Sequence, residues 1–411
     1  MPDTDLLSPV SAIPGDENRG VEDGIAVCLS GGGYRAMLFH TGVLWRLIEL
    51  GLMSPGNRTA TRPDGQQVQL GTLQRVSSVS GGSIISGMLG LKWKSLDFST
   101  PATLLASYRT EVVQPIRALA SVTLAAGDLE GAVKVLASVV MPGSVSKHVA
   151  DAYDKHLYRK AKLSELPTTP RWIINATNLQ SGALWRFSAP YMRDWKVGEN
   201  RHTDKVSLAR VVAASSAFPP VLAPATFQFD DADFTPGSGG PGEHNLQRPP
   251  FTTEVQLADG GVYDNLGLET AYKRCRTLLV SDAGAPFKPA KDVPENWAGL
   301  GKRVIDLVDS QVRALRRRLL MHALVSGTRF GAFWDMDADL AVFKAPGTLP
   351  CPHARTLELA RVGTDLGEKD DRTQERLINW GYAVCDASVR SYLDTSLPAP
   401  SGFPYPASGV G

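Results

Sequence analysis

Two strand–glycine–helix units within the first hundred residues constrain the fold more than any other feature of this sequence. In the first unit, a short apolar run over residues 24–30 enters Gly31–Gly33, and apolar residues then recur at helical spacing over residues 34–50. The same order of strand, glycine pair and helix returns over residues 73–91. A buried strand that turns through glycines directly into a helix is the repeating unit of α/β proteins. We therefore predict an α/β fold.

Shifts in composition divide the 411 residues into an arm, a main domain and an extension. Residues 1–23 are polar and acidic, which predicts a flexible arm without a secretory signal. The α/β domain is expected over residues 24–285, with a helical insertion rich in alanine and leucine at about 101–166. Residues 286–411 are predicted to form a helical extension packed on the same domain, with a proline-rich tail from about residue 395.

Charge and cysteine content exclude several classes of protein. The 43 basic and 42 acidic residues leave a formal charge of +1, so no broad surface for nucleic acid is predicted. The longest stretch without charges, residues 211–229, contains three prolines and cannot form a continuous membrane-spanning helix. Four cysteines without CxxC spacing and seven histidines without HxxxH or HExxH spacing indicate reduced thiols and no metal site. We expect a cytoplasmic protein that needs no cofactor.

The second glycine turn carries a candidate nucleophile, Ser80. A nucleophilic serine lies on a sharp turn between strand and helix, and small residues two positions before and after it let the backbone pass. Ser80 has Ser78 two positions before it and Gly82 two positions after it. Each neighbouring serine, Ser78 or Ser83, has a small residue on one side only. Ser78, Gly81 and Gly82 are therefore expected to support the turn. Ser78 stands where the G-x-S-x-G pattern has its first glycine.

The first glycine turn has two interpretations. As G-x-G-x-x-A it matches a dinucleotide-binding turn, but the acid that this pattern needs about 20 residues further on is missing, because Glu49 lies inside the predicted helix. As an oxyanion hole, the amides of Gly31, Gly32 and Gly33 at a helix N-terminus would meet the negative charge of a tetrahedral intermediate. Arg35 would add a fixed positive charge beside these amides.

A third element, Asp259-Gly260-Gly261, directly follows an apolar strand predicted over residues 255–258. An aspartate at the end of a strand, with Gly260 and Gly261 behind it, can lean into a cleft where another loop approaches closely. Alone, the pattern is more typical of a simple turn. Its occurrence after the two glycine turns makes Asp259 a candidate functional residue.

The blocks SGGGYRA, SVSGGS, ASSAFPPVLAP and DGGVYDN resemble those of the patatin-like phospholipases over residues 24–282. The first block is also similar to its counterpart in the mammalian cytosolic calcium-activated phospholipases. The resemblance implies a three-layer α/β/α fold with a mostly parallel central sheet, in which Ser80 attacks and Asp259 removes its proton. It also implies an oxyanion hole in the Gly31–Gly33 turn supported by Arg35. The expected substrates are membrane phospholipids, lysophospholipids or other acyl lipids.

The expected reaction is hydrolysis of a carboxylic ester through an acyl-enzyme. A free aspartate, with a pKa of ~3.9, is a weak base for an alcohol at neutral pH. We therefore expect partial burial to raise the pKa of Asp259.

Two segments fit a lipid substrate. The helical stretch 103–160 would form an apolar cap over an acyl pocket. The basic helix predicted over residues 301–324 would make peripheral contact with anionic headgroups of a membrane. Its basic residues are Lys302, Arg303, Arg313, Arg316, Arg317 and Arg318. The oligomeric state is not predicted.

Two alternatives stay open from the sequence. In a conventional Ser-Asp-His esterase the histidine follows the aspartate in the chain, and both His322 and His353 satisfy that order. His40, on the first helix, is expected to pack beside the site. The other alternative is a binding or effector protein whose domain stays latent until a partner or nucleotide signal activates it.

Overall fold

Twelve strands and eleven α-helices form the part of the chain that the computed structural model describes, residues 20–124 and 144–411. The strands are β1 Glu22–Leu29, β2 Arg58–Thr61, β3 Gln67–Gly71, β4 Leu73–Ser78, β5 Arg171–Asn178, β6 Leu184–Ser188, β7 Tyr191–Asp194, β8 Gly198–Asn200, β9 Ala225–Gln228, β10 Glu254–Asp259, β11 Cys275–Asp282 and β12 Phe330–Asp335. The α-helices are α1 Gly33–Glu49, α2 Gly81–Lys92, α3 Pro101–Tyr108, α4 Gln114–Ala120, α5 Ser144–Tyr153, α6 Leu208–Ser215, α7 Gly261–Asp264, α8 Glu269–Tyr272, α9 Trp297–Val325, α10 His353–Ala360 and α11 Asp371–Tyr392. The expectations for residues 1–19 and for the middle of the insertion, 125–143, lie outside the described residues.

Ten strands form one mixed sheet whose centre is parallel. The strand order is β12-β11-β1-β4-β5-β6-β7-β8, and the five strands from β12 to β5 run parallel to their neighbours. Beyond β5 the sheet continues as an antiparallel meander through β6, β7 and β8. β10 pairs antiparallel with β5, and β9 with β10. A parallel centre reached through helical connections confirms the predicted α/β class.

Helices cover both faces of the sheet, as the side chains of β1 demonstrate. Ile25, Val27 and Leu29 belong to a core that includes side chains of α1, α2 and α11. Ala26 and Cys28 belong to a second core, formed with α8 and the C-terminal half of α9. Because successive strand residues point to opposite faces, these two cores lie on opposite sides of the sheet. The three-layer α/β/α arrangement is therefore confirmed.

The C-terminal extension shares the core of the main sheet and is not helical throughout. β12 adds an edge strand parallel to β11, and the indole nitrogen of Trp334 donates a hydrogen bond to the Ser281 hydroxyl, 2.9 Å away. α11 crosses α1 so closely that a Cβ atom at Gly42 would overlap the backbone of Ile378. The extension predicted as helical thus also contains a strand. The sequence did not indicate this strand, because six residues that include Gly331 and Ala332 carry little strand signal.

Two other local features of the structure were not expected from the sequence. The polar segment between α1 and β4 contains the short β2–β3 hairpin. In the insertion, the described helices bury Leu104, Tyr108 and Ile116 in the main core. No helix among residues 20–124 and 144–411 is long and apolar enough to cross a membrane.

Candidate active site

Ser80 lies on a strained turn between β4 and α2. Its φ of +51° is in the region that favours glycine, and a serine held there stores strain of about 1–3 kcal/mol. The glycines behind it permit this geometry, because a Cβ atom at Gly81 would overlap the carbonyl of Gly33 and one at Gly82 that of Leu29. The turn therefore has the shape that projects a serine side chain above the end of a strand.

A network of serine hydroxyls holds the underside of this turn. The Ser80 amide donates to the Ser215 hydroxyl over 3.0 Å, and that hydroxyl donates to the Asn175 carbonyl over 2.7 Å. Ser83 lies 2.9 Å from Ser215 and donates to Ser78 over 3.1 Å. Ser78 thus replaces the usual glycine without loosening the turn, since its hydroxyl joins the network. Nothing in the local sequence pattern pointed to Ser215.

Strand β5 brings Ser80 and Asp259 close together, because the strands that precede them both pair with it. β4 pairs with the first half of β5 and ends with Ser78 opposite Ile174. β10 runs in the opposite direction along the second half of β5 and ends with Asp259 opposite Ala176. β6 occupies the other edge of β5, so the ends of β4 and β10 meet head to head. Two segments about 180 residues apart thereby reach one point of the sheet.

The Asp259 carboxyl is buried, with 3% of the residue exposed. Burial raises its pKa to about 7, and the negative charge of Asp309 adds to that rise. Hydrogen bonds from the Gly261 amide, at 2.7 Å, and from the Ser80 side chain act in the opposite direction. Desolvation is the largest of these effects. The predicted rise in the Asp259 pKa is confirmed, and the carboxyl titrates where a general base is most effective.

The first glycine turn leaves two amides free within the described residues, rather than the three that were predicted. The Gly31 amide is already engaged, because it donates to the backbone carbonyl of Asn265 over 3.2 Å and to its side chain over 3.1 Å. The amides of Gly32 and Gly33, with φ of +136° and +57°, make no hydrogen bond within the described residues. Asn265, which sequence reasoning missed, thus fixes the start of the turn.

Arg35 is not in the cavity, and the structure corrects its expected position. Its guanidinium is buried and donates to the backbone carbonyls of Ala360 (2.6 Å), Val362 (3.0 Å) and Ala283 (2.7 Å). Burial lowers its pKa to about 10. These bonds tie α1 to the segments after α10 and β11. Arg35 therefore positions the glycine turn from behind, because a local motif does not reveal where a long side chain finds its partners.

Two helix N-termini converge on this point. α1 begins at Gly33 and α2 begins at Gly81, and the two glycine backbones pack against each other. The Gly81 amide also makes no hydrogen bond within the described residues. The first amides of a helix carry a partial positive charge. Sequence reasoning gave Gly81 a supporting role only, although the amide after a nucleophilic serine is a common oxyanion donor.

These groups line one cavity of about 520 Å³. From the α/β core it is lined by Gly32, Gly33, Ser80, Phe218, Asp259, Gly261 and Asn265. The other walls come from residues 284–288, from Thr364 and from α9, through Lys302, Arg303, Asp306, Asp309 and Ser310. No described residue of the predicted cap, 103–160, lines it. The wall opposite the sheet is thus formed by the C-terminal extension.

No histidine among the described residues lines this cavity. His40 is buried, its ring nitrogens lie 3.0 Å from the Ser281 hydroxyl and the Ser30 carbonyl, and burial lowers its pKa to about 4. Neither His322 on α9 nor His353 at the start of α10 lines the cavity. Among residues 20–124 and 144–411 there is no group of three or more His, Cys, Asp or Glu that could hold a metal ion.

If the turn acts as the predicted oxyanion hole, replacing Gly33 by alanine is expected to lower kcat for the ester hydrolysis predicted from the sequence by about 10²-fold, the usual cost of losing one oxyanion donor. A Cβ atom there would overlap the carbonyls of Thr364 and Asp365, so the turn has to move. We expect destabilisation of about 1–3 kcal/mol as well. Steady-state kinetics and urea unfolding measure the two effects.

Gly182 provides the matched control for this substitution. It also has a positive φ, +69°, but a Cβ atom there meets nothing within 4 Å. Gly182→Ala should therefore carry the backbone strain while leaving kcat unchanged. A folded Gly33→Ala protein with normal kcat would exclude the Gly33 amide from the reaction.

A family model described as "Patatin-like phospholipase" matches residues 27–272. Human GIVD cytosolic phospholipase A2 has a similar structure, with 13% identity, a TM-score of 0.47, and coverage of 88% of this chain and 58% of that chain. The same human protein in complex with methyl gamma-linolenyl fluorophosphonate gives 15% identity, a TM-score of 0.45, and coverage of 88% and 57%.

The chain thus spans less than two thirds of the human chains that it resembles. No curated protein matches it. The family match extends over more than half of the 411 residues and includes the glycine turn, Ser80 and Asp259. This chain therefore belongs to the patatin-like phospholipases, a family of serine lipid ester hydrolases.

Proposed function

We propose that this protein hydrolyses carboxylic esters of acyl lipids, as a phospholipase A or lysophospholipase, through a Ser80–Asp259 dyad. One observation carries the proposal: a serine on a strained turn lines the same cavity as a buried carboxyl whose pKa is raised to about 7. A carboxylate with that pKa accepts a proton from an alcohol far more readily than an exposed aspartate does. Family membership supports lipids as the substrate class.

The reaction proceeds in two halves. The Ser80 oxygen attacks the ester carbonyl carbon while its proton passes to Asp259. The tetrahedral intermediate then collapses, the bond to the alcohol oxygen breaks, and Asp259 returns the proton to the departing alcohol. Water attacks the acyl-enzyme in the same manner, giving its proton to Asp259, and release of the fatty acid restores the Ser80 hydroxyl.

Backbone amides beside Ser80 stabilise the negative charge that develops during the reaction. In the tetrahedral intermediate the former carbonyl oxygen is negative, and we assign its binding to the amides of Gly32, Gly33 and Gly81. All three lack partners within the described part of the chain, and two of them begin helices. A dyad without histidine depends strongly on such donors, each of which is worth about 3–4 kcal/mol.

A conventional Ser-Asp-His triad is not supported by the geometry. The wall of the cavity contains Asp259 but none of the histidines among the described residues. His40 is the histidine on the helix that starts at the glycine turn, and both of its nitrogens already face protein oxygens. The proposed mechanism therefore uses Asp259 alone as acid and base.

Covalent labelling tests the proposal directly. A long-chain alkyl fluorophosphonate should modify the folded protein at a single residue, Ser80, because the phosphonate imitates the tetrahedral intermediate. Peptide mapping by mass spectrometry locates the adduct. Heat-unfolded protein is the control and should remain unlabelled. An adduct on another serine, or none on the folded protein, would overturn the assignment of Ser80 as the nucleophile.

A further inference from the structure

The outward side of helix α9 is apolar along most of its length. Six large apolar side chains there are exposed, and at 3.6 residues per turn they lie on one side of the helix and form one stripe. They are Trp297, Leu300, Val304, Leu307, Val308 and Leu315, which we call the α9 stripe. Trp297 is 88% exposed. From Trp297 to Leu315 the stripe is about 27 Å long at 1.5 Å per residue.

Beneath the stripe the inward side of the same helix is charged, so its polarity there is the reverse of an ordinary surface helix. Arg303, Asp306 and Asp309 line the cavity beneath it. Further along, the buried Arg316 donates to Glu269 over 2.9 Å. Within the described part of α9, only the C-terminal end packs apolar side chains, such as Leu320 and Ala323, into the second core. A helix that packs by its polar side gains nothing in folding from an exposed apolar stripe. An exposed apolar stripe of this size marks a surface that contacts another molecule.

The position of the stripe favours a lipid surface as that partner. One helix diameter, about 10 Å, separates the α9 stripe from the side chains that line the cavity. An apolar helix face that binds a bilayer enters the headgroup boundary by about 5–10 Å. Docking by the stripe would therefore hold the cavity at the depth where acyl esters are found.

Charge also favours lipid over a second copy of this chain. Three basic residues of α9 are exposed, Lys302, Arg317 and Arg318, whereas its two acidic residues, Asp306 and Asp309, are half-buried. Two copies packed stripe to stripe would bring like charges together, whereas anionic headgroups would neutralise them. Several of the basic side chains form ion pairs within the protein, such as Arg317 with Asp335, so the apolar stripe supplies most of the contact.

We propose that the α9 stripe is the surface by which this enzyme docks on anionic lipid bilayers. The proposal rests on the proposed function, because lipid hydrolysis gives the docking its purpose. It differs from the expectation of a basic helix facing headgroups, since here apolar side chains enter the bilayer and the charges assist.

Paired glutamate substitutions test the proposal. We expect Val304→Glu/Val308→Glu to weaken binding to vesicles of equal phosphatidylcholine and phosphatidylglycerol by ~10-fold or more, because two charges would enter the bilayer boundary. The ratio of vesicle-phospholipid to soluble short-chain ester turnover should fall by a similar factor. Val342→Glu is the matched control: Val342 is 63% exposed, against 53% for Val308, but lies outside α9. Cosedimentation and steady-state kinetics provide the readouts.

The outcomes separate this inference from the proposed function. Unchanged vesicle binding by the double variant overturns the docking surface, even where soluble-ester turnover continues. If the wild type is a dimer and the double variant is a monomer with intact vesicle binding, the stripe contacts a second copy of the chain. That result also overturns the docking surface. Loss of vesicle binding in the double variant supports the docking surface. It does so even if the wild type hydrolyses no ester, and in that case only the proposed function fails.

Discussion

Replacing Ser80 by alanine is expected to reduce kcat for ester hydrolysis by about 10⁴-fold or more, because no other atom can form the acyl-enzyme. The side chain is the only part of the turn that changes, since alanine leaves the Ser80 amide bonded to Ser215. Binding of lipid vesicles should remain at the wild-type level. Release of fatty acid from a soluble ester and from phospholipid vesicles measures the loss.

Ser86→Ala is the matched control for this experiment. Ser86 is a buried serine on the same helix, α2, and its hydroxyl makes no hydrogen bond within the described residues. Its removal therefore leaves no partner unsatisfied, and hydrolysis should continue at the wild-type rate. Wild-type hydrolysis by Ser80→Ala would exclude the nucleophile proposed here, together with the acyl-enzyme.

Local sequence patterns predicted the parts of the site that local chemistry determines. The turn at Ser80 follows from glycines that permit a close approach, and the start of α1 follows from Gly32 and Gly33. Asp259 is the last residue of β10, as expected for an aspartate directly after an apolar run. These features involve residues within a few positions of each other, so their physical cause is visible in the sequence.

The incorrect expectations concern contacts between distant segments. The Gly31 amide is taken by Asn265, 234 residues away, and the Arg35 guanidinium by a carbonyl 325 residues away. β12 becomes a strand because β11 offers a free edge, although its own six residues carry little signal. Partners such as these depend on the assembled sheet. A motif therefore identifies the candidate residues but not which of their groups are free to react.

Asp259→Asn is the second substitution with a large expected effect, a decrease in kcat of about 10³–10⁴-fold. Asparagine accepts hydrogen bonds much as a protonated aspartate does, but it cannot take the proton of Ser80. In the wild type, kcat/KM should rise with pH through about 7, where Asp259 loses its proton, and then level off. His322→Ala and His353→Ala are the controls, and both should keep normal turnover. Near-normal hydrolysis by Asp259→Asn would exclude the dyad, and a loss in either histidine variant would favour a triad.

Asp259→Asn should also make the protein more stable at high pH. Structural damage caused by the substitution would lower the stability instead. The pKa of Asp259 is about 7 when folded and ~3.9 when unfolded, so between these values the folded state holds a proton that the unfolded state has lost. Its stabilising contribution is complete below about pH 4 and is lost as the pH rises through about 7, at a cost of at most ~4 kcal/mol. Asparagine removes this cost. Urea unfolding should therefore find Asp259→Asn more stable than the wild type at about pH 8, with the difference shrinking toward about pH 4. An equal stability difference at both pH values would mean that the buried carboxyl is not the group that titrates, and the catalytic base would then have to lie elsewhere.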